Sequence, residues 1–269
     1  MGTVNRYEMP TQQTAYHVEV EQLTHQPFVV AVDVSGSMNH VEDGQTKSNL
    51  QLAEELVNRI GHDSRITDLQ KRAVDLCIMT FEQTVVTELD WTPLSEYSGG
   101  ITLKSGNTTA FHDAVKQAMN AVRSMKANYQ RNGIQCKRPQ IYVITDGYST
   151  DPRDNPAVVE EAKKLCRYYL EGESPKVTLN VIYLPGGSTT DARALSQKVN
   201  LYKVDDCKEG LPAIEKFINA SIVAFSSSSP GETARIELPA EIKTTTPTKR
   251  GPDGKGVVEH PVENSETWY

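Results

Sequence analysis

The sequence lacks any long hydrophobic run and any excess of basic residues. Its apolar runs are short, such as residues 28–32, whereas a helix that spans a bilayer needs about 20 apolar residues. Residues 1–22 contain no apolar stretch of the kind found in signal peptides. Lys and Arg number 28 against 35 Asp and Glu, a net charge of −7, which disfavours the phosphate backbone of nucleic acids as a partner. We therefore expect a cytoplasmic protein with no membrane insertion and no nucleic-acid partner.

Cysteine and histidine are few, and neither occurs at a spacing that binds zinc. No C-x-x-C pair connects the four cysteines, which are Cys77, Cys136, Cys166 and Cys207. The six histidines form neither an H-x-x-x-H nor an H-E-x-x-H pattern, and the dipeptide His112–Asp113 lies within a helical pattern. We therefore expect reduced, mostly buried thiols, and we interpret His112 and Asp113 as structural.

What the sequence does contain is an alternation of buried strands and amphipathic helices. Short β-branched apolar runs predict strands over 28–35, 72–81, 84–89, 140–145, 176–184 and 201–204. Apolar residues at helical spacing predict helices over 47–60, 109–125, 157–170, 189–199 and 210–224. The short connection Glu82–Gln83 indicates a hairpin. We predict a three-layer, Rossmann-like α/β fold with a mostly parallel central sheet, one antiparallel edge strand and helices on both faces.

The composition changes sharply near Phe225. Residues 226–269 contain five prolines and four glycines, and no aromatic residue precedes Trp268. Such a stretch has too little apolar surface to predict a core. We therefore expect an N-terminal extension over 1–26, one α/β domain over 27–225, and a flexible Ser/Thr/Pro-rich C-terminal tail over 226–269.

Oxygen-bearing side chains follow two of the predicted strands and precede one helix. Asp33, Ser35 and Ser37 form a D-x-S-x-S pattern after the first strand, Thr108 and Thr109 precede the second helix, and Asp146 follows the strand 140–145. Ligands of open α/β sheets bind at the carboxyl ends of the strands. Hard oxygen ligands suit Mg²⁺, with Mn²⁺ or Ca²⁺ as alternatives. A capped loop that holds no ion is the structural alternative.

These motifs, in this order, resemble the metal-ion-dependent adhesion site of von Willebrand factor type A domains. That site consists of D-x-S-x-S, a Thr about seventy residues later and an Asp in a T-D-G turn. The resemblance covers about residues 27–224. It implies that Ser35, Ser37 and Thr109 bind the metal directly, and that Asp33 and Asp146 bind it directly or through water. Thr109 fits the family's usual string of Thr, any residue, aliphatic, aromatic and Asp better than Thr108 does.

Within that family, the string FINASIVAFSSSS over 217–229 and the compact length are similar to the bacterial TerY-like group. Proteins of this group belong to tellurite-resistance and stress operons. The resemblance implies a bacterial stress, tellurite-resistance or defence system. It also implies a PP2C-type phosphatase and a protein kinase as partners.

Three functions remain open on the sequence. We favour a non-enzymatic interaction module in which a partner protein supplies a Glu or Asp to the metal, because no His, Lys or Cys accompanies the serines as a catalytic base. The alternatives are a haloacid-dehalogenase-like phosphotransferase that uses Asp33 as nucleophile with Mg²⁺, and a metal-stabilised structural scaffold.

Overall fold

The computed structural model of the protein describes residues 23–171, 175–251 and 253–262. In this part of the chain ten strands form two sheets. The strands are β1 (Gln26–Asp33), β2 (Val74–Phe81), β3 (Val85–Pro93), β4 (Gln140–Thr145), β5 (Thr178–Tyr183), β6 (Asn200–Val204), β7 (Thr233–Glu237), β8 (Ile242–Thr244), β9 (Thr248–Arg250) and β10 (Gly256–Pro261).

Seven helices accompany the sheets in the same ranges. They are α1 (Asn49–Arg59), α2 (Asp68–Ala73), α3 (Phe111–Arg131), α4 (Asp151–Asp154), α5 (Pro156–Leu170), α6 (Thr190–Leu195) and α7 (Cys207–Ser227). A short 3-10 helix, Gly36–Asn39, follows β1. No helix in the described residues is long and apolar enough to cross a membrane.

The central sheet has the strand order β3-β2-β1-β4-β5-β6-β8. β1, β2, β4, β5 and β6 pair in parallel, while β3 and β8 are antiparallel to their neighbours. The predicted α/β fold with a mostly parallel sheet is therefore confirmed. The hairpin of β2 and β3 supplies the predicted antiparallel edge, and β8 adds a second one at the opposite edge.

The residues of β1 show how the sheet separates two hydrophobic cores. Phe28, Val30 and Val32 point to one face, where α1 and α7 pack. Val29 and Ala31 point to the other face, where α3 and α5 pack. Since side chains of a strand alternate between its faces, a strand buried on both sides must be apolar throughout. This is why the central strands are continuous apolar runs in the sequence.

The C-terminal region differs from the prediction of a flexible tail over 226–269. Residues 233–261 instead form four strands, of which β7, β10 and β9 make a second sheet that packs on α7. Ala234, Ile236 and Val258 are buried in the same core as α7. Every second residue of β7 is buried. A few apolar residues at period two therefore determine which face of this strand packs against the core. Residues 263–269, including Trp268 and Tyr269, lie outside the described residues.

The N-terminal boundary of the α/β domain also differs from the predicted one. β1 begins at Gln26, so the predicted extension over 1–26 ends slightly earlier than expected, and residues 1–22 lie outside the described ones. α2 was not predicted, although Thr67 and Gln70 form a capping box at its start. It occupies the beginning of the stretch 72–81 that we assigned to a strand.

Two further features of the core bear on the predictions. All four cysteines are free and buried, as expected, and burial raises the pKa of Cys77 and of Cys166 to about 12. Lys137, which is 6% exposed, donates hydrogen bonds from Nζ to the carbonyl oxygens of Phe225 (2.7 Å) and Ser226 (3.1 Å) at the end of α7. The last helix is thus tied to the segment that precedes β4.

Candidate metal centre

Asp33 lies at the carboxyl end of β1 and is fully buried. Its Oδ1 accepts a hydrogen bond from the backbone N–H of Ser35 (2.9 Å), and its Oδ2 accepts one from the Thr145 hydroxyl (2.5 Å). Val32 pairs with Ile144, so the parallel register of β1 and β4 brings Asp33 beside the end of β4. Both carboxylate oxygens are therefore held by protein groups.

Ser35, Ser37 and Asp146 continue this arrangement toward the surface. The hydroxyl oxygens of Ser35 and Ser37 lie 3.0 Å apart, and Ser37 Oγ donates to Asp146 Oδ1 at 2.8 Å. Ser35 is buried, whereas Ser37 is exposed and Asp146 is half-buried. Residues from two loops that are 109 positions apart in the sequence thus form one hydrogen-bonded chain, which runs from the interior to solvent.

Thr109 comes to the same place from a third loop. It is 5% exposed, and a Cβ built on Gly147 would lie 3.1 Å from its hydroxyl oxygen. Glycine at position 147 therefore allows the T-D-G turn to approach Thr109 closely. The structure brings the predicted residues Asp33, Ser35, Ser37 and Asp146 together by hydrogen bonds, and it places Thr109 against the turn that carries Asp146. The metal-binding role of the five residues stays a prediction.

Burial disfavours the charged forms of both carboxyl groups of this cluster. Burial raises the pKa of Asp33 to about 7, and the nearby charge of Asp146 adds to this, although hydrogen bonds from Thr145 and Ser35 oppose it. Burial also raises the pKa of Asp146, against the hydrogen bond from Ser37. A cation between these groups would favour the charged form of both.

The donor set fits a hard divalent cation. All five predicted ligands offer oxygen atoms, two of them from carboxylates and three from hydroxyls. In the described ranges no three His, Cys, Asp or Glu side chains cluster in a way that could hold a metal. A metal at this site would therefore depend on hydroxyl ligands, which suit Mg²⁺, Mn²⁺ or Ca²⁺ better than zinc or copper.

Two residues that support the cluster were missed by the sequence analysis. Thr145 binds Asp33 directly, and its signal is a hydroxyl at the carboxyl end of a buried strand. Asp151 accepts hydrogen bonds from the backbone N–H groups of His112 (2.6 Å) and Asp113 (3.2 Å). It thereby caps α3 from a distant part of the chain, which no spacing in the sequence reveals.

His112 is structural, as interpreted. Its ring is 1% exposed, and its Nδ1 lies 2.9 Å from the Ser149 hydroxyl. The bonds of Asp151 to the first turn of α3 hold residues three and four positions after Thr109. Asp151 and Ser149 therefore position the helix on which the predicted ligand Thr109 depends.

The surface around Ser37 and Asp146 is open and partly apolar. A cavity of about 480 Å³ begins at these two residues. Val41 and Tyr148, which are 47% and 67% exposed, lie on the loops that surround the cluster. Exposed hydrophobic side chains beside a polar cluster are typical of binding surfaces.

Part of the chain matches a described protein family. Residues 28–149 match the family model of the von Willebrand factor type A domain, which supports a domain of that type in this part of the chain. No curated protein is significantly similar to the chain in sequence.

Solved structures with a similar fold share little sequence with the chain. A mutant of the PilB minor pilin from Streptococcus sanguinis is 11% identical, with 78% of this chain and 64% of that chain covered and a TM-score of 0.53. Proximal thread matrix protein 1 from the mussel byssus, whose MIDAS motif is occupied by zinc, is 15% identical, with 76% and 47% covered and a TM-score of 0.51. The ArnB paralog VWA2 from Sulfolobus acidocaldarius is 20% identical, with 72% and 45% covered and a TM-score of 0.49. The chain spans about half the length of the last two proteins. The similarities to the pilin and to the thread matrix protein show the fold alone.

Proposed function

We propose that the von Willebrand factor type A domain indicated for residues 28–149 is a metal-dependent protein-interaction module and not an enzyme. In this proposal Ser35, Ser37 and Thr109 bind Mg²⁺ directly, and Asp33 and Asp146 bind it directly or through water. A Glu or Asp side chain of a partner protein completes the coordination. Mn²⁺ and Ca²⁺ are the alternative ions, since both also take hard oxygen ligands.

One observation carries the proposal. The hydrogen-bonded chain from buried Asp33 through Ser35 and Ser37 ends at Asp146, which solvent can reach. A cation that replaces these hydroxyl hydrogen bonds would have protein oxygens on its inner side and solvent on its outer side. Its outer positions are then available to a ligand from another molecule.

The charges at the site explain why that ligand would be acidic. The predicted ligands include only two carboxylates, Asp33 and Asp146, which balance the charge of a divalent ion. An additional carboxylate can replace a metal-bound water, because the cation attracts an anionic oxygen more strongly than a neutral one. The contact is charge-assisted and partly shielded from water, so that surrounding side chains such as Val41 and Tyr148 can make it selective.

The environment of Asp33 disfavours the phosphotransferase alternative. A nucleophilic carboxylate needs a free oxygen that a phosphorus atom can approach. Asp33 is 0% exposed, and its two oxygens accept hydrogen bonds from Ser35 N–H and Thr145 Oγ1. Phosphatase turnover that is lost in Asp33→Asn would nevertheless revive this alternative.

For the biological setting we propose a bacterial stress, tellurite-resistance or defence system. The support is the resemblance of the 217–229 string to the TerY-like group, and residues 217–227 of this string form the end of α7. A PP2C-type phosphatase and a protein kinase of the same system are then the candidate partners, each with an acidic residue that reaches the metal.

Metal binding is tested first, by calorimetric titration of Mg²⁺ into wild type, Thr109→Val and Thr108→Val. Valine keeps the shape of threonine and removes its hydroxyl. We expect Thr109→Val to weaken binding at least about tenfold, the smallest loss that removal of even an outer-shell partner causes. Thr108→Val is the matched control and should bind like wild type. A wild-type protein that binds none of Mg²⁺, Mn²⁺ and Ca²⁺ would sink the proposal.

Partner binding is tested with the immobilised full chain in bacterial lysate. The three samples are wild type with Mg²⁺, wild type with EDTA, and Thr109→Val with Mg²⁺. We expect a protein that is retained only by the first sample, and the same dependence when that protein is purified and added alone. Retention in all three samples would contradict metal-dependent recognition. If Mg²⁺ still raised the melting temperature in that case, the scaffold alternative would hold.

A further inference from the structure

His40 lies beside the predicted metal centre, although it is not among the predicted ligands. It directly follows the 3-10 helix Gly36–Asn39, which carries Ser37. Its backbone N–H donates to the carbonyl oxygen of Ser37 (3.0 Å), and its own carbonyl oxygen accepts from the backbone N–H of Asn49 (3.0 Å). Because both backbone groups are bonded, the position of His40 relative to Ser37 is fixed.

The side chain of His40 faces the open side of the centre. It is exposed, and it lines the cavity of about 480 Å³ that begins at Ser37 and Asp146. Burial raises the pKa of Asp146, and the charge of His40 opposes this, so the ring lies near that carboxylate. The Ser37 hydroxyl donates to Asp146 (2.8 Å), and the ring is therefore not its acceptor. In the described part of the chain no hydrogen bond or ion pair occupies the ring.

The other charged residues that line the cavity are acidic. Besides Asp146 they are Glu42 and Asp205. Asp205 pairs with Lys243, but both side chains are more than half exposed, so this ion pair contributes little. Of the described residues that line the cavity, His40 is thus the one basic side chain that can offer an N–H group to an anion.

A carboxylate at the metal needs such a group. If one of its oxygens binds the metal beside Ser37 and Asp146, the second oxygen has no cation of its own, and Glu42 and Asp205 repel it. An acceptor that is removed from water without a donor costs free energy. Carboxylates that bind metals in proteins are themselves hydrogen-bonded, and loss of such an outer partner typically costs about ten- to hundredfold in affinity.

We propose that His40 selects an acidic partner residue by donating a ring N–H to the carboxylate oxygen that the metal does not bind. The inference rests on the proposed function, because the metal brings that carboxylate to the cavity. An imidazole ring has an N–H donor in its neutral and in its charged form, so the contact is available in both. A hydroxyl or amide ligand has no second anionic oxygen for this N–H and is therefore bound less tightly.

The test follows metal-bound water in the full chain loaded with Mn²⁺, one of the ions proposed for the site. Mn²⁺ accelerates the relaxation of water protons that exchange through its coordination positions, so a ligand that replaces such a water lowers this effect. Acetate is the carboxylate probe, and acetamide is the matched neutral probe. We expect acetate to lower the relaxation rate saturably and acetamide to do so far more weakly.

His40→Phe keeps an aromatic ring and removes both ring nitrogens. It should weaken acetate binding about tenfold, the lower end of the loss seen for outer hydrogen-bond partners, and leave the Mn²⁺ affinity unchanged. His62→Phe is the matched control, since His62 is exposed and lies outside the cavity lining, and it should respond like wild type. His40→Ala serves if His40→Phe does not fold.

The outcomes separate this inference from the proposed function. If Mn²⁺ binds, and Thr109→Val weakens its binding, an equal acetate response in wild type and His40→Phe overturns only the role of His40. The absence of any acetate response in wild type does the same. Weaker Mn²⁺ binding in His40→Phe would make His40 a metal ligand and would also overturn this role. A wild type that binds no Mn²⁺ would overturn the inference, and the proposed metal centre as well if Mg²⁺ and Ca²⁺ also failed to bind.

Discussion

Single residues decide stability at the end of the sheet opposite to the metal centre. Asp75, at the start of β2, is fully buried and accepts a hydrogen bond from the Tyr129 hydroxyl. Its Oδ2 also lies 2.6 Å from Nδ1 of His25, which is 3% exposed. A buried carboxylate is tolerated only when such partners replace water.

Tyr129→Phe should therefore lower the free energy of unfolding by about 1–3 kcal/mol, the usual cost of leaving a buried acceptor short of a donor. The measurement is urea denaturation followed by circular dichroism. Tyr148→Phe is the matched control, because Tyr148 is 67% exposed, and it should unfold like wild type. Equal stability of Tyr129→Phe and wild type would mean that the Tyr129 hydroxyl does not support Asp75.

His260 should make the stability depend on pH. Burial lowers its pKa from 6.5 to about 4, and the nearby charge of Arg138 adds to this. The unfolded chain binds a proton more readily than the folded one between these values. The contribution is therefore present above about pH 6.5 and is lost as the pH falls toward 4, by up to roughly 3 kcal/mol.

We expect His260→Phe to flatten the fall in stability between pH 6.5 and 4, since phenylalanine can pack against Phe225 without taking up a proton. The measurement is the free energy of unfolding of both proteins across this pH range. His62→Gln, which changes an exposed histidine, should keep the wild-type slope. A wild-type slope in His260→Phe would assign the pH dependence to other groups.

At this scale the sequence could predict the hydroxyl and carboxylate residues of the candidate site, because they follow strands whose ends meet at one edge of the sheet. The sequence could not predict that Asp151 caps α3. Asp151 accepts hydrogen bonds from the backbone N–H groups of residues 112 and 113, which lie almost forty positions earlier. Nor did the sequence predict that Glu42 and Asp205 share a cavity, because their loops follow different strands.

Among the elements, α3 begins without a side-chain cap of its own, and Asp151 at the start of α4 takes that role. Asp151→Ala should lower the free energy of unfolding by about 1–2 kcal/mol, the cost of losing an N-cap. It should also weaken Mg²⁺ binding, because Thr109 lies only two residues before the uncapped turn. Calorimetry and thermal unfolding measure the two effects.

Asp154→Ala provides the comparison for Asp151→Ala. Asp154 lies on the same short helix but is exposed and pairs with its neighbour Arg153. Its replacement should change neither stability nor Mg²⁺ affinity appreciably. If Asp151→Ala and Asp154→Ala behaved alike, the distant capping of α3 would have no energetic weight.

The second sheet should contribute strongly to the stability of the domain. Ile236 in β7 is 1% exposed and lies in the core that contains α7. Ile236→Ala should therefore cost about 2–5 kcal/mol, as large-to-small core substitutions do. Val86→Ala, at a 48% exposed position of β3, should cost far less in the same denaturation experiment. A small effect of Ile236→Ala would mean that the C-terminal sheet adds little to folding.

Among the elements, the buried parallel strands were the easiest to predict, because burial on both faces requires continuous apolar runs. β7, β9 and β10 were not, because their sheet covers only one face of a helix and contains few apolar residues among many polar ones, and β8 has only three residues. Their period of two is clear in β7 once the buried positions are known, but the stretch is too short and too polar to stand out.

For the whole molecule, metal binding should appear as thermal stability. A ligand that binds only the folded state stabilises it by about 2.7 kcal/mol when its concentration is one hundred times Kd. We therefore expect Mg²⁺ at this concentration to raise the melting temperature of wild type and of Thr108→Val, and to raise that of Thr109→Val by clearly less. An equal rise in all three proteins would show that Mg²⁺ stabilises the chain at another place.

The contacts that hold α7 in place limit how the domain could change conformation when it binds a ligand. Lys137 holds the carbonyl groups at the end of this helix, and the sheet of β7, β10 and β9 covers it. Sliding the helix along its axis would leave a buried ammonium group without acceptors, at a cost of several kcal/mol. We therefore expect the affinity of the metal site for its partner to stay constant. Its occupancy would then depend on the concentrations of metal and partner and not on mechanical tension applied to the chain.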